Sequence, residues 1–171
     1  MSNLDKNIVL IGMPGCGKTL VGKMLSTKLN RNFIDLDDYI EKTEGCSINK
    51  IFENGEEYFR GLEIKAVFKA SKFKSSIIAT GGGVIKKSEN IENLKKNGII
   101  IFIDKSPHDI VSDIDISTRP LLKDSIDNVY KLFNERYELY KQSCDMIIKE
   151  NGKAEEIAEK IIITYNSMCE L

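Results

Sequence analysis

The chain has 171 residues, 42% hydrophobic and 30% charged, which fits one globular domain of ordinary composition. Its 25 basic and 26 acidic residues leave a formal net charge of −1, so the basic footprint of a nucleic-acid binder is missing. No apolar run approaches the ~18 residues of a membrane span, and residues 1–7 lack the basic-then-apolar plan of a secretory signal, so a cytoplasmic protein is expected, with no membrane or nucleic-acid partner.

Apolar runs alternate with amphipathic stretches from end to end. Asn7–Ile11 (NIVLI) reads as a short strand, and Lys18–Leu29 as a helix carrying Val21, Met24, Leu25 and Leu29 at helical spacing. Residues 32–36 form a second short strand. Residues 47–54 and 56–73 read as helices, the second with Phe59, Leu62, Ala66, Val67 and Ala70. Ser76–Ala79 is a third strand and runs straight into Gly81, Gly82 and Gly83. A short helix over 88–96 precedes Gly98–Asp104 (GIIIFID), the near-continuous apolar run of a strand buried on both faces. A long helix over 125–142, a last strand over 145–149 and a closing helix over 154–168 complete the pattern. Strand and helix in alternation imply parallel strands joined by crossovers, hence an α/β three-layer sandwich with a five-stranded parallel sheet and helices on both faces. Residues 41–48 and 113–123 lack clear periodicity and are candidates for substrate loops or a lid.

Residues 12–19 read Gly-Met-Pro-Gly-Cys-Gly-Lys-Thr and match G-x-x-x-x-G-K-[ST] at every fixed position, after a strand and before a helix. Gly12, Gly15 and Gly17 let the backbone curl so that its amides, with those of Cys16 and Leu20, point at anionic oxygens. The helix N-terminus adds partial positive charge. Lys18 supplies a full charge to the outer phosphates, and the Thr19 hydroxyl can join a Mg²⁺ shell. The loop therefore predicts a nucleoside triphosphate. The base-reading N-K-x-D of GTPases is absent, because Asn49-Lys50-Ile51 is followed by Phe52, so ATP is expected.

Asp35 and Asp37 fall at the C-terminal end of the second strand, where open α/β sheets bind ligands. One carboxylate there can organise Mg²⁺ and the other can accept a hydroxyl proton; capping of a following helix is an equally common use of such residues. Arginine is scarce: the chain carries Arg31, Arg60, Arg119 and Arg136 among its 25 basic residues. Generic positive charge has been filled by lysine, so each arginine is a candidate for a planar grip on carboxylate or phosphate. Cys16, Cys46, Cys144 and Cys169 form no C-x-x-C pair and His108 is the lone histidine, which argues for reduced thiols, no zinc and no histidine-based triad. His108 and Arg31 are expected on the surface.

The motifs GMPGCGKT (12–19), FIDLDDYIE (33–41), IFENGEEYFRGLE (51–63), IIATGGG (77–83), RPLL (119–122) and ERYELY (135–140) are together similar to those of shikimate kinases, over essentially the whole chain. The resemblance implies a single P-loop kinase domain over 1–171, with a substrate-binding segment near 33–62 and a lid near 112–123. It implies transfer of the ATP γ-phosphate to the 3-hydroxyl of shikimate, with Mg²⁺, by a monomer. On it, Asp37 resembles the residue that holds the acceptor hydroxyls and serves as base. Asp35 resembles the acid that organises Mg²⁺ beside Thr19. Arg60 and Arg136 resemble the pair that grips the substrate carboxylate, and Gly81, Gly82 and Gly83 the loop along the ring. Lys18 and Arg119 match the groups on the phosphates, Arg119 from the lid, and Lys153 loosely matches an adenine-side position. Asp104 ends a strand as a Walker B aspartate would, but the resemblance leaves it out of the metal site. The lid begins Ser112-Asp113-Ile114-Asp115, acidic where such enzymes often carry a basic residue. A P-loop kinase for gluconate or a nucleoside monophosphate is the alternative within the class, and a non-catalytic nucleotide-binding module the alternative outside it.

Overall fold

The computed structural model describes residues 6–113, 123–149 and 152–169. Five strands form one all-parallel sheet: β1 (Asn7–Ile11), β2 (Asn32–Asp35), β3 (Ser76–Ala79), β4 (Gly98–Asp104) and β5 (Met146–Lys149). Their order is β2-β3-β1-β4-β5. The chain fills one side of β1 and then the other, so the switch point lies at the carboxyl end of β1, between β3 and β4. Register is tight there: Leu10 pairs with Ala79 of β3 and with Ile101 of β4.

The central strands are apolar because both faces are covered. Ile8, Val9, Leu10 and Ile11 of β1 are fully buried, as are Ile100, Ile101 and Ile103 of β4. At the edge, β5 alternates buried and exposed residues instead. The helices are α1 (Lys18–Leu29), α2 (Leu36–Glu44), α3 (Ile48–Phe52), α4 (Glu56–Ala70), α5 (Ser88–Asn97), α6 (Pro107–Ser112), α7 (Lys123–Ser143) and α8 (Ala154–Cys169). A 3-10 turn, Val84–Lys86, follows the glycine triplet. Among the described residues no helix is long and apolar enough to cross a membrane.

Three expectations are corrected. Residues 41–48 are not a loose loop. β2 ends at Asp35, α2 begins at once on Leu36, and Gly45 stops it with a left-handed φ of 70°. Glu41 then accepts the Ile48 amide at 2.8 Å, which stitches α2 to α3. Secondly, Arg31 is no idle surface residue. Its Nη1 donates to the Lys6 carbonyl and to the Tyr165 hydroxyl, and its guanidinium lies 4.9 Å from the Tyr165 ring centre. It ties the α1–β2 turn to α8. Thirdly, Asp145 precedes β5 rather than opening it, and its carboxylate accepts the Ile100 amide of β4 at 2.8 Å. His108 is exposed as expected. Residues 114–122, with Arg119 and most of the expected lid, lie outside the described residues.

Candidate active site

Two cavities meet at the carboxyl edge of the sheet. The first, about 510 Å³, lies over the 12–19 loop and is walled by Gly15, Gly17, Lys18, Thr19 and Leu20, with Asp35, Asp37 and Thr80 opposite. The second, about 210 Å³, is walled by α4, α7 and the glycine triplet, and includes Arg60, Glu63 and Arg136. Pro14, Asp37 and Gly82 border both.

The first cavity is a backbone construction. Gly15 and Gly17 hold φ of 82° and 92°, a region that side chains with a Cβ rarely adopt. Gly12 has a second constraint: a Cβ there would lie 2.8 Å from both the Cys16 sulfur and the Ile103 carbonyl. Cys16 is buried beneath the loop, and its amide donates to the Met13 carbonyl at 3.2 Å. Lys18 is buried and folded back, its Nζ donating to the Gly12 and Met13 carbonyls at 2.9 and 2.8 Å. Thr80 anchors the glycine triplet to β1, since its amide and hydroxyl both donate to the Leu10 carbonyl.

Asp35 serves both uses that the sequence left open. Its Oδ1 accepts the Asp37 and Asp38 amides and so caps α2. Its Oδ2 accepts the Thr19 hydroxyl at 2.7 Å. That pairing offers hard oxygen donors at one end of the phosphate cavity, a set that suits Mg²⁺, which keeps waters and takes few protein ligands. Among the described residues no cluster of three or more His, Cys, Asp or Glu could form a dedicated metal cage. Asp104 is bonded to the Tyr137 hydroxyl at 3.2 Å and borders neither cavity.

The second cavity is a side-chain construction. Arg60 is buried on α4 between two carboxylates of its own helix. Its Nε and Nη2 donate to Glu56 at 3.2 and 3.1 Å, and its Nη1 donates to Glu63 at 2.8 Å. Burial works against its charge, but Glu63 and Glu56 outweigh this and raise its pKa further. Gly83 lies flat against this guanidinium, and a Cβ there would meet Nη2 at 2.2 Å. Gly82 packs on the Pro14 ring, and Gly81 faces the carboxylates of Asp37 and Glu63. All three glycines are therefore required by close approach.

Burial holds Asp37 above the usual carboxylate range, and the charge of Asp35 adds to this, while Lys18 and Arg60 pull it down. Burial likewise raises Glu63, with Arg60 opposing. One Glu63 oxygen, Oε1, is buried without a hydrogen-bond partner among the described residues. On α7, Tyr140 is fully buried and donates to the Gly82 carbonyl; burial pushes its hydroxyl pKa far up, partly offset by Arg136. It stacks on Phe102 of β4 at 5.1 Å, so the sheet supports the glycine triplet through it.

Lys18, Thr19, Leu20, Asp35 and Asp37 thus converge on the first cavity, and Arg60, Arg136 and Gly81–Gly83 on the second. Lys153 is exposed at the start of α8 and borders neither. Sequence reasoning missed Glu56, Glu63 and Tyr140 as parts of the site. Their spacing held the signal: Glu56 and Glu63 are i−4 and i+3 from Arg60, and Tyr140 is i+4 from Arg136.

Comparison with known proteins bears on the whole chain. The family model described as shikimate kinase matches residues 14–166. The shikimate kinase of Clostridium botulinum (strain Alaska E43 / Type E3) is 45% identical over 158 residues, which is 92% of this chain and 96% of the relative. That of Caldanaerobacter subterraneus subsp. tengcongensis is 46% identical over 164 residues, 94% of this chain and 96% of the relative. The solved shikimate kinase from Acinetobacter baumannii in complex with shikimate superposes with a TM-score of 0.88 at 33% identity, covering 97% of this chain and 96% of that one.

Proposed function

The chain belongs to the shikimate kinase family, and we propose how its residues divide the ATP-dependent phosphorylation of shikimate, a step of aromatic biosynthesis. The observation that carries the assignment is the shared wall: Asp37 borders both cavities, where a phosphate donor and a hydroxyl acceptor would meet.

ATP places its phosphates over the 12–19 loop, against the N-terminus of α1. Lys18 exchanges the Gly12 and Met13 carbonyls for phosphate oxygens. Thr19 and Asp35 would hold Mg²⁺ together with phosphate oxygens and water, and the ion would neutralise charge across the outer phosphates. Arg119 is assigned to the phosphates on its motif alone.

Shikimate lies in the second cavity with its carboxylate on Arg60 and Arg136. Glu56 and Glu63 take one N–H each from Arg60 Nη2 and Nη1. The remaining N–H on each nitrogen makes a fork for a carboxylate. The ring runs along Gly81–Gly83, which brings the 3-hydroxyl to Asp37. As that oxygen attacks the γ-phosphorus, its proton passes to the Asp37 carboxylate, the bond to the β-phosphate oxygen breaks, and ADP leaves. A carboxyl with a raised pKa is the better base near neutral pH. A monomeric cytoplasmic enzyme is proposed on the resemblance.

The test is ADP release from MgATP with shikimate, beside gluconate, AMP, CMP and UMP. Release with shikimate alone is expected. Release with another acceptor, or with none of them despite ATP binding, contradicts the assignment.

A further inference from the structure

Two consecutive lysines close the 3-10 turn after the glycine triplet, and two consecutive glutamates open α4. They pair one to one: Lys86 Nζ donates to Glu56 Oε1, and Lys87 Nζ donates to Glu57 Oε2 at 2.9 Å. The pairs differ in what lies behind them. Glu57 is exposed and pairs with no other side chain among the described residues. Glu56 Oε1 is the same oxygen that receives Nε and Nη2 of Arg60. Lys86 therefore ends a chain Lys86–Glu56–Arg60 that leads from the surface into the acceptor cavity. The same turn carries Gly83, which lies against the Arg60 guanidinium. The Lys86 hydrogen bond is the largest influence that lowers the Glu56 pKa, ahead of Arg60.

Charge makes the arrangement consequential. Arg60 and Arg136 share this cavity with Asp37 and Glu63, and Lys86 pairs with Glu56 behind Arg60. Without Lys86 the Glu56 carboxylate loses a cation beside a cavity whose acceptor is itself an anion. Glu56 would then also hold Arg60 alone, with no competing cation on the shared oxygen.

We propose that Lys86 is a positioning residue for the carboxylate of the acceptor, acting through Glu56 on Arg60. Lys86 touches no substrate. It shares the Glu56 oxygen, keeps the outer edge of Arg60 fixed, and leaves the free N–H of each Nη turned to the incoming carboxylate. This rests on the reading that Arg60 receives that carboxylate.

The experiment is steady-state kinetics of the full chain, with melting temperatures as a fold check. Both partners are partly exposed, so Lys86→Met should raise KM for shikimate about 2- to 5-fold. Its kcat and KM for ATP should be unchanged. Lys86→Arg should restore KM. Lys87→Met, which breaks the neighbouring pair, should leave KM where it was. In a Glu56→Gln background, Lys86→Met should add almost nothing. Equal KM shifts in Lys86→Met and Lys87→Met, or a full Lys86→Met effect in the Glu56→Gln background, would overturn the proposal. Arg60→Lys separates the two levels. If it raises KM while Lys86→Met does not, the proposal alone falls. If Arg60→Lys leaves KM unchanged, the carboxylate assignment falls and takes the proposal with it.

Discussion

The two halves of the site are built from different materials. One wall of the phosphate cavity is a contiguous loop whose work is done by backbone, with glycine φ values and one folded-back lysine setting its shape, and Asp35, Asp37 and Thr80 face it. The acceptor cavity is assembled from α2, α3, α4, α7 and the glycine triplet, and side-chain ion pairs set its shape. A backbone cradle recognises any run of phosphate oxygens and carries little further selectivity. A lattice centred on the buried Arg60 and Glu63, with the less buried Glu56, Asp37 and Arg136 around them, can select one arrangement of carboxylate and hydroxyl, because a misplaced partner leaves a buried charge unpaired. On this view the common donor is read by main chain and the particular acceptor by side chains.

The sharpest way to break the comparison is at the shared wall. Asp37→Asn should lower kcat about 10²- to 10⁴-fold, as loss of a general base does, while nucleotide binding by calorimetry is retained. Loss of nucleotide binding as well would mean that Asp37 belongs to the phosphate half alone. Next in size is the acceptor half. Arg136→Ala should raise KM for shikimate about 10- to 100-fold, the loss of one charge-assisted hydrogen-bonding group, with KM for ATP nearly constant.

Smaller effects sharpen the account. Tyr140→Phe removes the hydroxyl that holds the Gly82 carbonyl but keeps the stack on Phe102. It should cost about 1 kcal/mol of stability, read by denaturant unfolding, and should weaken shikimate binding more than ATP binding. Smallest is a pH effect. The folded-state pKa of Asp37 is raised, so the folded protein holds this proton more tightly than the unfolded chain does. Ionised Asp37 therefore costs stability, and the cost appears as pH rises from the ordinary carboxylate value through the raised one. Asp37→Asn should melt higher than wild type at neutral pH, and the difference should vanish in acid below the ordinary value. The reverse order at neutral pH would show that Asp37 is stabilised where it stands.

Legibility follows the same division. The 12–19 loop could be read outright because eight adjacent residues make it. The strands could be read because burial on both faces leaves an apolar run, as in β4. The junction at Asp35 could not, since β2 passes into α2 with no connecting residue, and the carboxylate that looked like a ligand also caps the helix. Strand order was not legible either, because the approach of β3 to β1 depends on pairing across 60 or more residues. Arginine scarcity singled out Arg60 and Arg136, which both line the second cavity, and undervalued Arg31, whose partner on α8 is remote in sequence. The partners of Arg60 are on its own helix, and helical spacing would have revealed them.

The most direct measurement is calorimetric titration of wild type and Arg136→Ala with shikimate and with its methyl ester. The ester keeps the ring hydroxyls and removes the anion. If side-chain charge selects the acceptor, the ester binds wild type at least about tenfold more weakly than shikimate, and the gap shrinks sharply in Arg136→Ala. Equal binding of acid and ester by wild type would contradict the division between a backbone-built donor cavity and a charge-built acceptor cavity.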